Sequence, residues 1–196
     1  GVQTCALSDL VSTGTISCFG GTTTATVTGS NGTAPYTGAG TFTVGAGTHN
    51  YTVTDAFGCT ATASATITQP TQLTATATMA STIRCFGGTA NINVIASGGT
   101  SPYTNTGLQS VTAGTRSFIV TDNNGCTATT NSLVVTQPTQ IQVTTTTINA
   151  ACGADGAATA STTGGTAPYN YSWSSGATSA TANNLTAGSY TVTVTD

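Results

Sequence analysis

The side chains with chemistry to offer are six cysteines: Cys5, Cys18, Cys59, Cys85, Cys126 and Cys152. Cys18 and Cys59 stand 41 positions apart, and so do Cys85 and Cys126. Regular spacing with no CxxC pair and a single histidine reads as a disulfide framework, because zinc draws its ligands from close pairs. Such a framework places the chain outside the cytoplasm. The spacing predicts one bond from Cys18 to Cys59 and another from Cys85 to Cys126, each clamping one unit. In the chain-entropy model a loop of that length is worth about 4 kcal/mol.

Cys5 and Cys152 have no partner by this rule. Cys152-Gly153 opens a third copy of the pattern, which reaches Asp196 about four residues before its closing cysteine is due, since Cys59 follows Asp55 by four. The opening stretch Gly1-Val2-Gln3-Thr4-Cys5-Ala6-Leu7-Ser8 reads as the missing piece: a short turn, a cysteine, then an alternating strand. Two explanations stand open. Either the sequence is one stretch of a longer repeat protein, or chains join head to tail, the N-terminal strand of one completing the third unit of the next and a bond between Cys5 and Cys152 sealing the junction. A bond between these two within one chain is not expected, because two whole units separate them.

Other chemistry is sparse. Asp55, Asp122 and Asp196 occupy the same point of each copy, but calcium takes six to eight oxygens and no second acid lies nearby, so each aspartate is expected to cap its own turn. His49, the only histidine, aligns with Arg116 and Tyr190 and is expected on a solvent face. No Ser-His-Asp set, paired carboxylates or phosphate loop can be assembled, which argues against an enzyme, a metal centre or a cofactor. Sequons at Asn31, Asn50, Asn170 and Asn184 are candidate glycosylation sites. Sugars there would supply hydration that the missing charges do not.

The elements that must position these residues repeat too. Cys18, Cys85 and Cys152 recur at 67 and 67, and Pro35, Pro102 and Pro168 at 67 and 66. Boundaries are expected at Gln69-Pro70 and Gln137-Pro138, where proline cannot continue a central ladder and sets a short stiff joint. That gives domains 1–69, 70–137 and 138–196, with 1–8 completing a preceding or neighbouring domain and the third lacking its closing strand. Within the first, alternating segments at 7–16, 22–28, 36–44, 49–54 and 60–68 are paced as in an antiparallel β-sandwich. Tyr51 and Val53, Phe118 and Val120, and Val192 and Val194 form the expected core face. Gly-rich turns before each proline lead to Tyr36, Tyr103 and Tyr169, whose rings are expected to bury while their hydroxyls stay wet. Trp173 is expected in the third core beside Cys152, and the Thr-x-Thr runs read as β-propensity on a solvent face rather than a flat ligand-facing array.

Composition agrees. Of 196 residues only 4% are charged, with no lysine and no glutamate, which removes the usual solvent face of long helices and any basic surface for nucleic acid. No run reaches the ~18 apolar residues of a membrane-spanning helix, and a chain opening on Gly1 reads as a mature or internal segment.

Together, Cys-Phe-Gly-Gly, Gly-Gly-Thr-Ala-Pro-Tyr, Asp-x-x-Gly-Cys-Thr-Ala-Thr and the stretch from Asn184 to Asp196 resemble the SprB-type repeat of very large surface adhesins in gliding and related Bacteroidota. The resemblance implies tandem Ig-like sandwiches of about 67 residues arranged as beads in a row, export by the type IX route, and a place in a cell-surface filament or adhesin. It brings no catalytic residues. The first two copies depart from it by being shorter than the third, and the third by losing Phe-Gly-Gly after its cysteine. The expected function is a structural module whose partner is itself. The alternative class is a carbohydrate-binding array in which tyrosine and tryptophan platforms meet surface glycans.

Overall fold

The computed structural model describes residues 8–196, and among them every regular element is a β-strand. Alternation dictates this: threonine, valine and isoleucine in period two cover one face with methyls and leave the other in water. In the first repeat, β1 (Ser8–Thr13), β2 (Thr23–Ser30) and β3 (Gly40–Val44) form one antiparallel sheet. β4 (Gly47–Thr54) and β5 (Thr60–Ile67) form a hairpin in full register, from Gly47 opposite Ile67 to Thr54 opposite Thr60. The hairpin packs on the sheet, β1 against β5 and β2 against β4. Ala25, Val27 and Val53 are buried between the layers. Gly29 lets them close, since a Cβ there would meet Val53 Cγ1 at 2.8 Å.

The second repeat lays down β6 (Thr74–Met79), β7 (Ala90–Ser97) and β8 (Gly107–Val111) in the same order. Its long hairpin is broken in two. β9 (Gly114–Arg116) pairs with β12 (Leu133–Val135), and β10 (Ile119–Thr121) pairs with β11 (Thr127–Thr129). At the break the buried Thr130 turns its Oγ1 inward to accept the Phe118 N–H at 3.0 Å. Asn131 leaves the ladder to bond both the N–H and the carbonyl of Ala77.

The third repeat comprises β13 (Gln142–Ile148), β14 (Gly156–Thr163), β15 (Asn170–Trp173), β16 (Thr181–Leu185) and β17 (Val192–Thr195), in the sheets β13-β14-β16 and β15-β17. Its core is Ala158, Ala160, Trp173, Ala182 and Leu185, with Tyr171, Tyr190 and Val192 against it. Cys152 lies outside this cluster and is exposed, so the expected packing of Trp173 beside it is not found.

The chain groups into two compact units. The first runs to Ala77 and includes Val94–Gly107 and Ser117–Asn131; the second holds Thr78–Asn93, Leu108–Arg116 and Ser132–Asp196. Residues of the second repeat contribute to both.

Candidate functional site: an inter-repeat disulfide and its turns

Each repeat carries the same turn machinery. In the first unit, the Asp55 carboxylate accepts from the N–H groups of Phe57 and Cys59 through Oδ1, both at 2.9 Å, and from Thr33 N–H through Oδ2 at 3.1 Å. Asp122 repeats the pattern with Asn124, Cys126 and Thr100, all at 2.9 Å. In the second unit Asp196 Oδ2 takes the Thr166 N–H at 2.7 Å. These aspartates therefore tie the closing turn to the turn before each proline. Among the described residues no three of histidine, cysteine, aspartate or glutamate cluster as metal ligands.

The Thr33 N–H, ahead of opposing desolvation and the other amides, holds the Asp55 carboxyl below its ordinary value. At Asp122 burial pushes upward, and the N–H groups of Thr100, Cys126 and Asn124 outweigh it to leave the net shift downward. A carboxyl depressed in the folded state stabilises above its unfolded value of 3.8, and that contribution is lost as pH falls through the folded value. The urea midpoint is thus expected to be level near neutrality and to fall below about pH 4. In Asp55→Asn/Asp122→Asn the fall should be shallower, and an equally steep fall in this variant would rule out the two carboxylates as its source.

The tyrosines are anchored rather than wet. Tyr36 Oη donates to Gly32 O at 2.9 Å, Tyr103 Oη to Gly98 O at 2.7 Å, and Tyr169 Oη to Gly164 O. Each follows a cis proline: Pro35, Pro102 and Pro168. Gly98 (φ +75°) must be glycine, because a Cβ would strike Gln72 O at 2.0 Å. His49 also has a structural task. Its Nε2 lies 3.0 Å from Gly45 O, Arg116 donates to Thr112 O, and Tyr190 Oη to Thr186 O. Three different side chains at one position thus close the turn that passes from one sheet to the other onto a carbonyl four residues upstream, where a solvent-facing residue was expected.

The cysteines depart most from expectation. Cys18 is bonded to Cys126, across 108 positions and from the first repeat to the second, with Cα atoms 5.7 Å apart. Cys59 is disulfide-bonded, while Cys85 and Cys152 are exposed thiols. Neither the Cys18–Cys59 nor the Cys85–Cys126 pairing forms. The reason is the length of strand that separates them. Gly20 N–H donates to the Gln69 side chain at 2.7 Å, so the Cys18 turn lies at the end of β5 that leads to the next repeat. Cys59 lies before the start of the same eight-residue strand, roughly 25 Å away by strand rise. A disulfide needs Cα atoms within about 7 Å. Cys126 instead reaches the Cys18 turn, where Asn124 Nδ2 donates to Ser17 O and to Thr100 Oγ1, both at 3.0 Å. Gln69, read from the sequence as part of a joint, is therefore a capping side chain, and Gln137 does the same for Gly87 at 3.0 Å.

Cys5 lies outside the described residues, so the Cys5–Cys152 junction keeps only its exposed Cys152 end in view. The Asn31, Asn50, Asn170 and Asn184 side chains are all exposed, with Asn50 Oδ1 accepting from Ser64 Oγ at 2.7 Å. Trp173 is 5% exposed and its Nε1 donates to Ser179 O at 2.9 Å. Its ring is a core filler and not an open platform. Beside it is a cavity of about 510 Å³, lined among others by Ile148, Leu185, Gly188, Tyr190 and Val192.

A family model described as the SprB repeat matches residues 144–178, the stretch holding Cys152, the Gly164-to-Tyr169 turn and Trp173. That family is one of structural repeats rather than enzymes. No curated protein matches the chain. An intramolecular disulfide such as Cys18–Cys126 fits an oxidising compartment.

Proposed function

We propose that the chain is a non-enzymatic structural module of an extracellular filament or giant surface adhesin, with domains 1–69, 70–137 and 138–196 set in a row to span distance and present surface. The observation that carries this reading is the Cys18–Cys126 bond, because a covalent tie from one repeat to the next resists the pulling apart of neighbours. Glycans at Asn31, Asn50, Asn170 and Asn184 belong to the same reading, as a hydration layer on a surface almost without charge.

Assembly proceeds by strand donation. β17 is paired on one edge with β15, whereas β4, its counterpart in the first repeat, has β5 on the other. Ile67 of β5 sits opposite Gly47 and is buried; the counterpart of Gly47 in the third repeat is Gly188, which lines the cavity beside Trp173. A donated strand patterned like Thr60–Ile67 would set its last apolar residue in that cavity. In the head-to-tail form the donated strand comes from the next chain in the row.

Immunogold labelling of native cells with antibody to this chain tests the reading. Gold along fibres at the cell surface is the expected result, and gold confined to the cytoplasm excludes it.

A further inference from the structure

Cys85 stands in the register of Cys18, 67 positions later, but carries a free thiol. Around Cys18 the structure holds a complete junction: the Cys18 turn, Thr100, and the Asp122 turn that ends in Cys126. Around Cys85 the second unit holds the same parts except the last. Thr82, Ile83, Arg84 and Cys85 line an open groove of about 460 Å³ whose other walls are Thr166 and Asp196. Thr166 is the counterpart of Thr100 and Asp196 of Asp122, and the Asp196 carboxylate holds the Thr166 N–H as Asp122 holds that of Thr100.

In the first unit, Cys126 follows Asp122 by four residues and its N–H is fixed by the Asp122 carboxylate, which delivers its sulfur to Cys18. A turn of the form Asp-x-x-Gly-Cys continuing from Asp196 would, by the same geometry, deliver its sulfur to the groove beside Cys85.

We propose that Cys85 is a docking and cross-linking site for the closing cysteine of the third repeat, presented four residues after Asp196. The inference rests on the proposed row of repeats and adds its covalent register: Cys85 of the second repeat bonds the closing cysteine of the third, as Cys18 of the first bonds Cys126 of the second. Cys152 then belongs to a cysteine one repeat further along. The bond forms by thiol–disulfide exchange with a small-molecule disulfide such as oxidised glutathione. The Cys85 thiolate attacks one sulfur of the reagent and expels a glutathione thiolate, leaving a mixed disulfide. The incoming cysteine thiolate then attacks the Cys85 sulfur and expels the second glutathione. Two protein thiols are oxidised, the reagent is reduced to two thiols, and the two protons pass to the leaving thiolates.

The experiment extends the full chain after Asp196 with a copy of residues 56–68, which brings one cysteine and a closing strand. The protein is equilibrated in a glutathione redox buffer, its free thiols are alkylated, and its disulfides are mapped by mass spectrometry without reduction. The expected map shows Cys85 joined to the appended cysteine, Cys152 alkylated, and the Cys18–Cys126 bond intact as the sign of a folded first junction. In a Cys152→Ser version the new bond should persist, and in a Cys85→Ser version the appended cysteine should be alkylated. An appended cysteine joined to Cys152, or Cys85 alkylated while Cys18–Cys126 is intact, overturns the proposal. Absence of the Cys18–Cys126 bond removes its template and overturns it equally. The map reads pairing alone, so it can fail while gold still decorates surface fibres, and the reverse.

Discussion

Replacing Cys126 with serine is expected to cost the first compact unit about 4–5 kcal/mol at the chain-entropy limit for a loop of this length, and replacing Cys18 with serine the same amount. The loop spans 108 positions, so its closure removes more freedom from the unfolded chain than a clamp of 41 within one repeat. The double variant decides the pairing. If the two sulfurs share one bond, Cys18→Ser/Cys126→Ser costs no more than either single change, because the second substitution has nothing left to remove. Were each cysteine bonded inside its own repeat, two bonds would be lost and the costs would add. Urea titrations of the wild type, both singles and the double, followed by circular dichroism, distinguish the outcomes. Additive losses would refute the inter-repeat bond.

The same residues explain what was legible in the sequence and what was not. Two strands of the first repeat were readable to within two residues, the expected 60–68 being Thr60–Ile67 and the expected 22–28 being Thr23–Ser30, whereas the expected 36–44 shrinks to Gly40–Val44 and the expected 7–16 to Ser8–Thr13. The period-two alternation of Val and Thr carries its own face assignment, and a slip by one residue would expose Val53 and bury Thr52. The Asp-x-x-Gly turns were legible for a similar reason, since the carboxylate reaches amides two and four residues on. Disulfide pairing was not legible from spacing. The count of 41 states the length of a loop but not which end of the sandwich each cysteine occupies. The eight residues of β5, laid between Cys59 and Gln69, hold those two ends apart. The broken hairpin of the second repeat was hidden differently, because Thr130 looks like any alternating threonine until its hydroxyl is seen serving Phe118. The tasks of His49, Arg116 and Tyr190 escaped notice because three side chains with nothing in common but a reachable donor perform one role.

Trp173→Ala is expected to destabilise the second compact unit by about 3–5 kcal/mol, the range for deleting a large buried ring. The neighbours of the indole leave little room for repair: Ala158, Ala160 and Ala182 are too short to reach into the space it leaves, and Leu185 already lines the adjoining cavity. Loss of Nε1 also leaves Ser179 O without its donor, a cost of about 1 kcal/mol that Trp173→Phe isolates by keeping an aromatic ring without the N–H. Trp173 is the only tryptophan and is buried, so a blue-shifted emission and its loss in urea are expected to report on the third repeat alone in the wild type. Circular dichroism then follows the variants. A closing strand supplied as a peptide with the sequence of Thr60–Ile67 should raise the wild-type midpoint, since its last residue has the cavity beside Trp173 to fill, and should do less for Trp173→Ala. If Trp173→Ala instead lost under 1 kcal/mol, the ring could not be the keystone of that core.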